Sequence, residues 1–305
     1  MIPPAHLPPP AGPGDRVGVA ALSGPVDPGR LETGLSALRR LGFEPVLADN
    51  LLERYGLFAG CDADRLAAFH RLAADPDLRA ILFARGGHGV LRLLPGLDWD
   101  LLARHPRAYM GYSDLTPFLL EVVRRLGLVA FHGPMVAADL ARGMSPEDEA
   151  SFLAALAGRY PAELPFTAVL RQGDADARGP LLGGCLSLLT ATLGTPWAPD
   201  LAGAVVFWED VNEPPYRIDR MLTHLGLSGN LANIAGMIVG HLGESQEPGR
   251  DAVDWPSQIA DSLARYAWPL AWGLASGHVP PNRTLPLGMM ARLDAAAGRL
   301  VLGEG

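Results

Sequence analysis

A chain of 305 residues with 49% hydrophobic and 19% charged side chains has the composition of a folded globular protein, long enough for one large domain or two modest ones. Its formal net charge of -8 argues against a nucleic-acid partner, which selects a basic surface. All 25 basic residues are arginine, and a chain without lysine has neither Schiff-base chemistry nor a Walker-type phosphate loop.

Residues 1–14 are proline-rich and read as an extended lead-in, with neither the basic nor the apolar region of a signal peptide. No apolar run reaches the roughly 18 residues that a membrane span needs, so a cytoplasmic protein with no membrane partner is expected. The run "RVGVAAL" (16–22) predicts a buried strand. Asp27 and Pro28 then offer an N-cap and a first-turn proline to a helix carrying Leu31, Leu35 and Leu38 and closed by Gly42. "EPVLAD" predicts the next strand, and Leu66, Phe69 and Leu72 mark a helix over 64–74. Strand "RAILFAR" (79–85) runs into Gly86-Gly87-His88-Gly89, with a short helix at 90–94 and a strand ending at Gly111 beyond it. Leu115, Phe118, Leu119, Val122, Val123 and Leu126 lie on one helical face. "LVAFHGP" (128–134) predicts a strand, and "SPED" (145–148) opens a helix with a capping-box pattern.

This alternation predicts an α/β fold whose N-terminal part, 15–157, is a mainly parallel sheet sandwiched by helices. Residues 158–180 lose periodicity and collect Pro, Gly, Gln and Asp, so a linker is placed there. The C-terminal domain, 181–305, reads as a mixed α/β unit. Its helices are expected at 184–193, 214–226 and near 256–266, its strands at 203–210, 234–242 and 269–275, and a closing hairpin turns on Gly298.

Three polar residues follow the carboxyl ends of predicted strands, where open α/β sheets bind ligands: Ser113, Glu209 and His278. A serine on a tight strand-to-helix turn exposes its hydroxyl, and the helix start behind it offers N–H groups to an oxyanion. Serine needs a base, and histidine needs a carboxylate to set its tautomer. Plainer readings stay open. Ser113-Asp114 is also an ordinary helix cap, Asp210 and Glu213 compete with Glu209, and a turn histidine is often bonded to backbone. The glycines at 86, 87 and 89 permit close backbone approach to a ligand, or simply make a turn. Cys61 and Cys185 lack metal-ligand spacing and are expected as buried free thiols, and the eight histidines show no metal-binding pattern.

The stretches "GDRVGVAALSGPV", "ARGGHGVLRLLPGLDW", "YMGYSDLTPFLL", "AFHGPM", "GPLLGGCLSLLTATLGTPW", "WEDVNEPPYRIDRMLTHLGLSG" and "SGHVPPNRTLPLG" occur in the family order of the LD-carboxypeptidases and span residues 14–290. The chain resembles that family of serine peptidases, which includes murein tetrapeptide carboxypeptidases and microcin C immunity proteins. The resemblance implies Ser113 as nucleophile, His278 as base and Glu209 as the carboxylate that orients it, in an active site at the domain interface. It implies an oxyanion hole from the backbone N–H groups of Gly87 and Asp114, the Asp114 side chain serving besides as a helix cap. No cofactor or metal is implied, and the substrate would be a muropeptide losing its terminal D-alanine. Arg85, His88 and Arg217 are candidates for the leaving carboxylate, and a homodimer is expected. Cys185 in "GGCL" departs from the asparagine expected there. Two other readings remain: a microcin-immunity hydrolase of aminoacyl- or peptidyl-nucleotide analogues, and a non-catalytic receptor for peptidoglycan fragments. The immunity branch generally carries an extra loop before the glutamate, with an aromatic residue for base stacking. Here Glu209 lies only fifteen positions after Gly194, the start of "GTPW", with Trp197 the one aromatic in reach, which favours the carboxypeptidase.

Overall fold

The computed structural model describes residues 5–160, 162–173, 177–243 and 253–303. The chain divides into two units, one comprising His6–Arg159 with Arg283–Pro286, the other Tyr160–Asn282 and the segment from Leu287. In the first, β1 (Arg16–Ala20), α1 (Pro28–Arg40), β2 (Glu44–Leu47), α2 (Asp62–Ala74), β3 (Leu78–Phe83), α3 (Val90–Leu93), α4 (Trp99–Arg104) and β4 (Ala108–Gly111) alternate as the periodicity predicts. Asp27 caps α1 by accepting from the Arg30 amide at 2.8 Å, and Pro28 occupies the first turn.

The helix after β4 is less regular than its stripe predicts. A 3-10 turn at Ser113–Leu115 leads into α5 (Thr116–Glu121), which widens into a π turn over Val122–Leu126 and stops at left-handed Gly127. Strand β5 (Ala130–His132) follows, a second π turn spans Val136–Leu140, and α6 (Pro146–Leu156) starts on a Ser145 cap. The six-stranded sheet runs β12-β5-β4-β3-β1-β2, where β12 is Leu285–Leu287; β5 through β2 are parallel throughout. Crossing from β2 back to β3 places a topological switch point between β1 and β3. Phe118 on α5 meets the rings of Phe69, Phe83 and Tyr109 edge-on, centroids 5.4–5.5 Å apart, which locks the segment after Ser113 onto β3, β4 and α2.

The second unit opens with a correction. The expected linker 158–180 instead contributes β6 (Ala162–Pro165), β7 (Ala168–Arg171) and the start of β8 (Ala177–Cys185). Helix α7 (Leu186–Ala191) is correspondingly shorter than 184–193, because Gly184 and Cys185 pair in β8 with Trp208 and Glu209. Strand β9 (Val205–Asp210), α8 (Pro215–Leu227), β10 (Gly236–Leu242), α9 (Trp255–Ser262), β11 (Leu270–Trp272), β13 (Met290–Asp294) and β14 (Arg299–Leu302) complete it. The eight-stranded sheet runs β6-β14-β13-β8-β9-β10-β11-β7, parallel from β8 to β11 and antiparallel outside. The tail hairpin is β13–β14 alone, since Leu285–Leu287 joins the other sheet.

Candidate active site

Ser113 sits two residues past β4 with φ +63°, a left-handed conformation costly for a residue with a side chain. Gly86 lets it sit there. A Cβ at Gly86 would lie 2.8 Å from Ser113 Cβ, 2.9 Å from Ser113 Oγ and 3.5 Å from the Asp114 amide nitrogen. The glycine loop after β3 therefore runs directly over the serine hydroxyl. Gly87 has φ +125°, and a Cβ on it would come within 3.1 Å of the Gly24 nitrogen. That loop is tied down by the Gly24 amide, which donates to the Gly86 carbonyl at 3.3 Å.

The Asp114 side chain departs from the additional helix-cap role expected of it. Its buried carboxylate caps no turn of its own helix; Oδ2 accepts from the Ser23 hydroxyl at 2.7 Å and from the Val90 amide, at the start of α3, at 3.0 Å. Neither partner is near it in sequence, so only the fold brings them to it.

In the other unit, Glu209 lies in the fully buried strand β9 and is itself 0% exposed. Its Oε2 accepts from the backbone N–H of His278 at 3.1 Å and lies 2.6 Å from His278 Nδ1. An ionised carboxylate only accepts, so Nδ1 is the donor in this hydrogen bond and carries the ring proton. The competition among neighbouring carboxylates is resolved by the pleat, which sends Glu209 and Asp210 to opposite faces. Asp210 accepts instead from the Ser187 and Val211 amides, both at 2.8 Å, and Glu213 pairs with Arg217 at 3.4 Å. Gly277 makes room for the pair, since a Cβ there would meet Glu209 Oε2 at 2.8 Å. Val279, beside the histidine, and Gly240, packed on Glu209, line a cavity of about 420 Å³ with Trp255 and Trp272. The His278 side chain stays 16% exposed while Glu209 is closed off.

Burial pushes the Cys185 thiol well above its ordinary pKa, with the charges of Asp210 and Glu209 acting in the same direction, so it is an inert neighbour of the dyad. Both cysteines are free as expected, but Cys61 is half-exposed rather than buried, its thiol 2.8 Å from Asp64 Oδ2. Of the three carboxylate-binding candidates, Arg85 donates to the Gly86 and Pro25 carbonyls, each at 3.1 Å. Arg217 is held by Glu213, while His88 is exposed on the glycine loop. Ser113, Gly87, Asp114, Arg85 and His88 belong to the first unit; Glu209, His278 and Arg217 belong to the second. Among the described residues no cluster of His, Cys, Asp and Glu is arranged to hold a metal, and no helix is long and apolar enough to cross a membrane.

Residues 17–133 match the LD-carboxypeptidase N-terminal domain and residues 178–293 the LD-carboxypeptidase C-terminal domain. A probable murein peptide carboxypeptidase of Bacillus subtilis strain 168 is 36% identical over 297 residues, 96% of this chain and 92% of that protein. The chain belongs to the LD-carboxypeptidase family. The murein tetrapeptide carboxypeptidase of Pseudomonas aeruginosa is 35% identical, covering 92% of this LD-carboxypeptidase and 93% of its own length. Among solved structures, a muramoyltetrapeptide carboxypeptidase from Oxalobacter formigenes superposes with a TM-score of 0.85 at 30% identity, over 95% of this chain and 99% of that one. MccF in complex with glutamyl sulfamoyl guanosine superposes with a TM-score of 0.90 at 23% identity, over 98% of each chain, a likeness of fold. This LD-carboxypeptidase is a serine-type peptidase.

Proposed function

We propose that the enzyme releases the terminal D-alanine of a murein tetrapeptide through an acyl-enzyme on Ser113. The observation that carries the reading is the buried Glu209 carboxylate holding His278 Nδ1 at 2.6 Å, and the reading assigns Nε2 as the base. In this mechanism His278 takes the Ser113 proton as the hydroxyl attacks the carbonyl ahead of D-alanine. The oxyanion is received by the N–H groups of Gly87 and Asp114, and His278 returns the proton to the leaving amine. Water then attacks the acyl-enzyme by the same route. Support for the serine comes from its strained turn under Gly86, and support for the substrate from the murein peptides named for the relatives.

Arg85, His88 and Arg217 are the candidates for the leaving carboxylate: among the described residues Arg85 donates only to neutral carbonyls and keeps an uncompensated charge, whereas Arg217 is paired with Glu213. The same reading makes the enzyme a cytoplasmic homodimer acting on small peptides and not on nucleic acid, which its net charge of -8 favours. Sedimentation equilibrium tests the dimer.

Mass spectrometry of a tetrapeptide before and after incubation should show loss of one alanine. Ser113→Ala should fold with an unchanged circular dichroism spectrum and lose turnover by on the order of a thousandfold or more. Full activity in that variant sinks the assignment. MccF, 26% identical to this chain, brings a second substrate to the same assay: cleavage of aspartyl sulfamoyl adenosine in place of the tetrapeptide would move this chain to that branch.

A further inference from the structure

The Asp114 side chain joins three loops that leave one sheet edge. Ser23 follows β1, Val90 ends the glycine loop after β3, and Asp114 follows β4 itself, so the carboxylate ties together the carboxyl ends of three strands around the topological switch point. The knot is closed to water: Asp114 is 4% exposed and Ser23 0%. It is also buttressed. The fully buried Arg65 guanidinium donates to the carbonyl of Leu22, next to Ser23, and to Asp62 at 2.6 Å, with the Phe58 ring 4.7 Å beneath it. The Ser23 carbonyl in turn accepts from the Ala59 amide at 3.0 Å.

This arrangement bears directly on the two amides assigned to the oxyanion hole. Asp114 carries one of them, and the other, on Gly87, belongs to the loop that ends at Val90. A single carboxylate oxygen thus sets the spacing between the two donors while the adjacent Ser113 is held at φ +63°. We propose that the Asp114 carboxylate and the Ser23 hydroxyl are positioning residues for the reaction, a clasp that holds the oxyanion donors in register over Ser113. The inference rests on the reading of Ser113 as nucleophile.

The charge of Asp114 is not what the clasp needs. One oxygen accepts both hydrogen bonds, and the amide oxygen of asparagine accepts the same two. Alanine removes the acceptor, frees the glycine loop and leaves a buried N–H and O–H unpaired. Displacing a catalytic donor by even 1 Å costs about 100-fold in rate.

The test measures the rate at which a fluorophosphonate labels Ser113, kcat and KM on the tetrapeptide, and thermal midpoints, for wild type, Asp114→Ala, Ser23→Ala and Asp114→Asn. Asp114→Ala and Ser23→Ala should lose about 100-fold in both labelling rate and kcat with little change in KM, measured well below their midpoints, as expected for misplaced oxyanion donors. Asp114→Asn should restore most of both rates. Labelling at the wild-type rate in either folded alanine variant overturns the clasp, as does a loss explained by the unfolded fraction alone. Should Asp114→Ala fail to fold, Ser23→Ala decides. Wild-type enzyme in which the phosphonate never modifies Ser113 would refute the nucleophile itself, a result distinct from failure of the clasp.

Discussion

Glu209 and Asp210 stand side by side on β9, both buried, yet only one faces the histidine. Burial first, and the Glu209 charge second, push the Asp210 carboxyl up to about 6, against the two backbone N–H groups that favour its ionised form. In the unfolded chain the same group ionises near pH 4, so between roughly pH 4 and 6 unfolding releases a proton. This residue therefore stabilises the fold at low pH, and its contribution fades as pH rises to about 6, by on the order of 3 kcal/mol in all. Asp210→Asn keeps one acceptor oxygen and removes the slope. Urea midpoints of both proteins from pH 4 to 7 should show the variant gaining on wild type as pH rises, and a constant difference between the two curves would refute this. At this scale the sequence was partly legible. The residue types and strand-end positions of Ser113, Glu209 and His278 stand out in the chain, and the structure pairs two of the three. The partners of Asp114 lie 91 and 24 residues away, and no local pattern announces a contact made only by folding.

Helix α1 was fully legible, because its cap, its proline and its leucine spacing are all local signals, and the helix keeps them. Less visible is why Gly34 stands in the middle of it, where glycine costs about 1 kcal/mol relative to alanine. The helix packs on the π turn at Val136–Leu140 so closely that a Cβ on Gly34 would fall 2.0 Å from the Val136 carbonyl oxygen. Gly34→Ala should therefore destabilise the protein by about 1–3 kcal/mol despite the better helix propensity, read as a lowered urea midpoint. A raised midpoint would show that the contact yields. Strands β6 and β7 escaped prediction for a different reason. Each has four residues, lies at an end of its sheet, and pairs with a partner distant in sequence, β14 for one and β11 for the other. Such short edge strands carry little alternation of their own, and the Pro, Gly and Asp around them read as loop. The segment after Ser113 shows the opposite case: a periodic stripe gave the buried face correctly but was blind to the 3-10 and π turns at its ends.

Across the whole molecule, the alternation of strand and helix in the first 157 residues announced a parallel sheet, and the chain supplies one, but the sequence did not show that the sheet borrows its last strand from residue 285 onward. The crossing has consequences for dissection. A fragment of residues 6–159 contains β5 but not β12, so the edge of β5 is stripped of its partner and presents unpaired backbone groups to other chains. It also loses the Arg283–Asp148 ion pair at 3.3 Å, the hydrogen bond from the Thr284 amide to Ser151 Oγ at 3.0 Å, and the buried Leu285 side chain. Leu285 alone is worth about 2 kcal/mol. Because residues 283 and 284 already dock on α6, a Gly-Ser linker of roughly eight residues reaches from 159 to a re-attached 283–287 segment. The extended fragment should unfold at higher urea than the fragment ending at 159 and stay monomeric at concentrations where the shorter one aggregates. Equal midpoints and equal sedimentation would mean that the borrowed strand adds nothing to the first unit, and that its boundary lies at 159 after all.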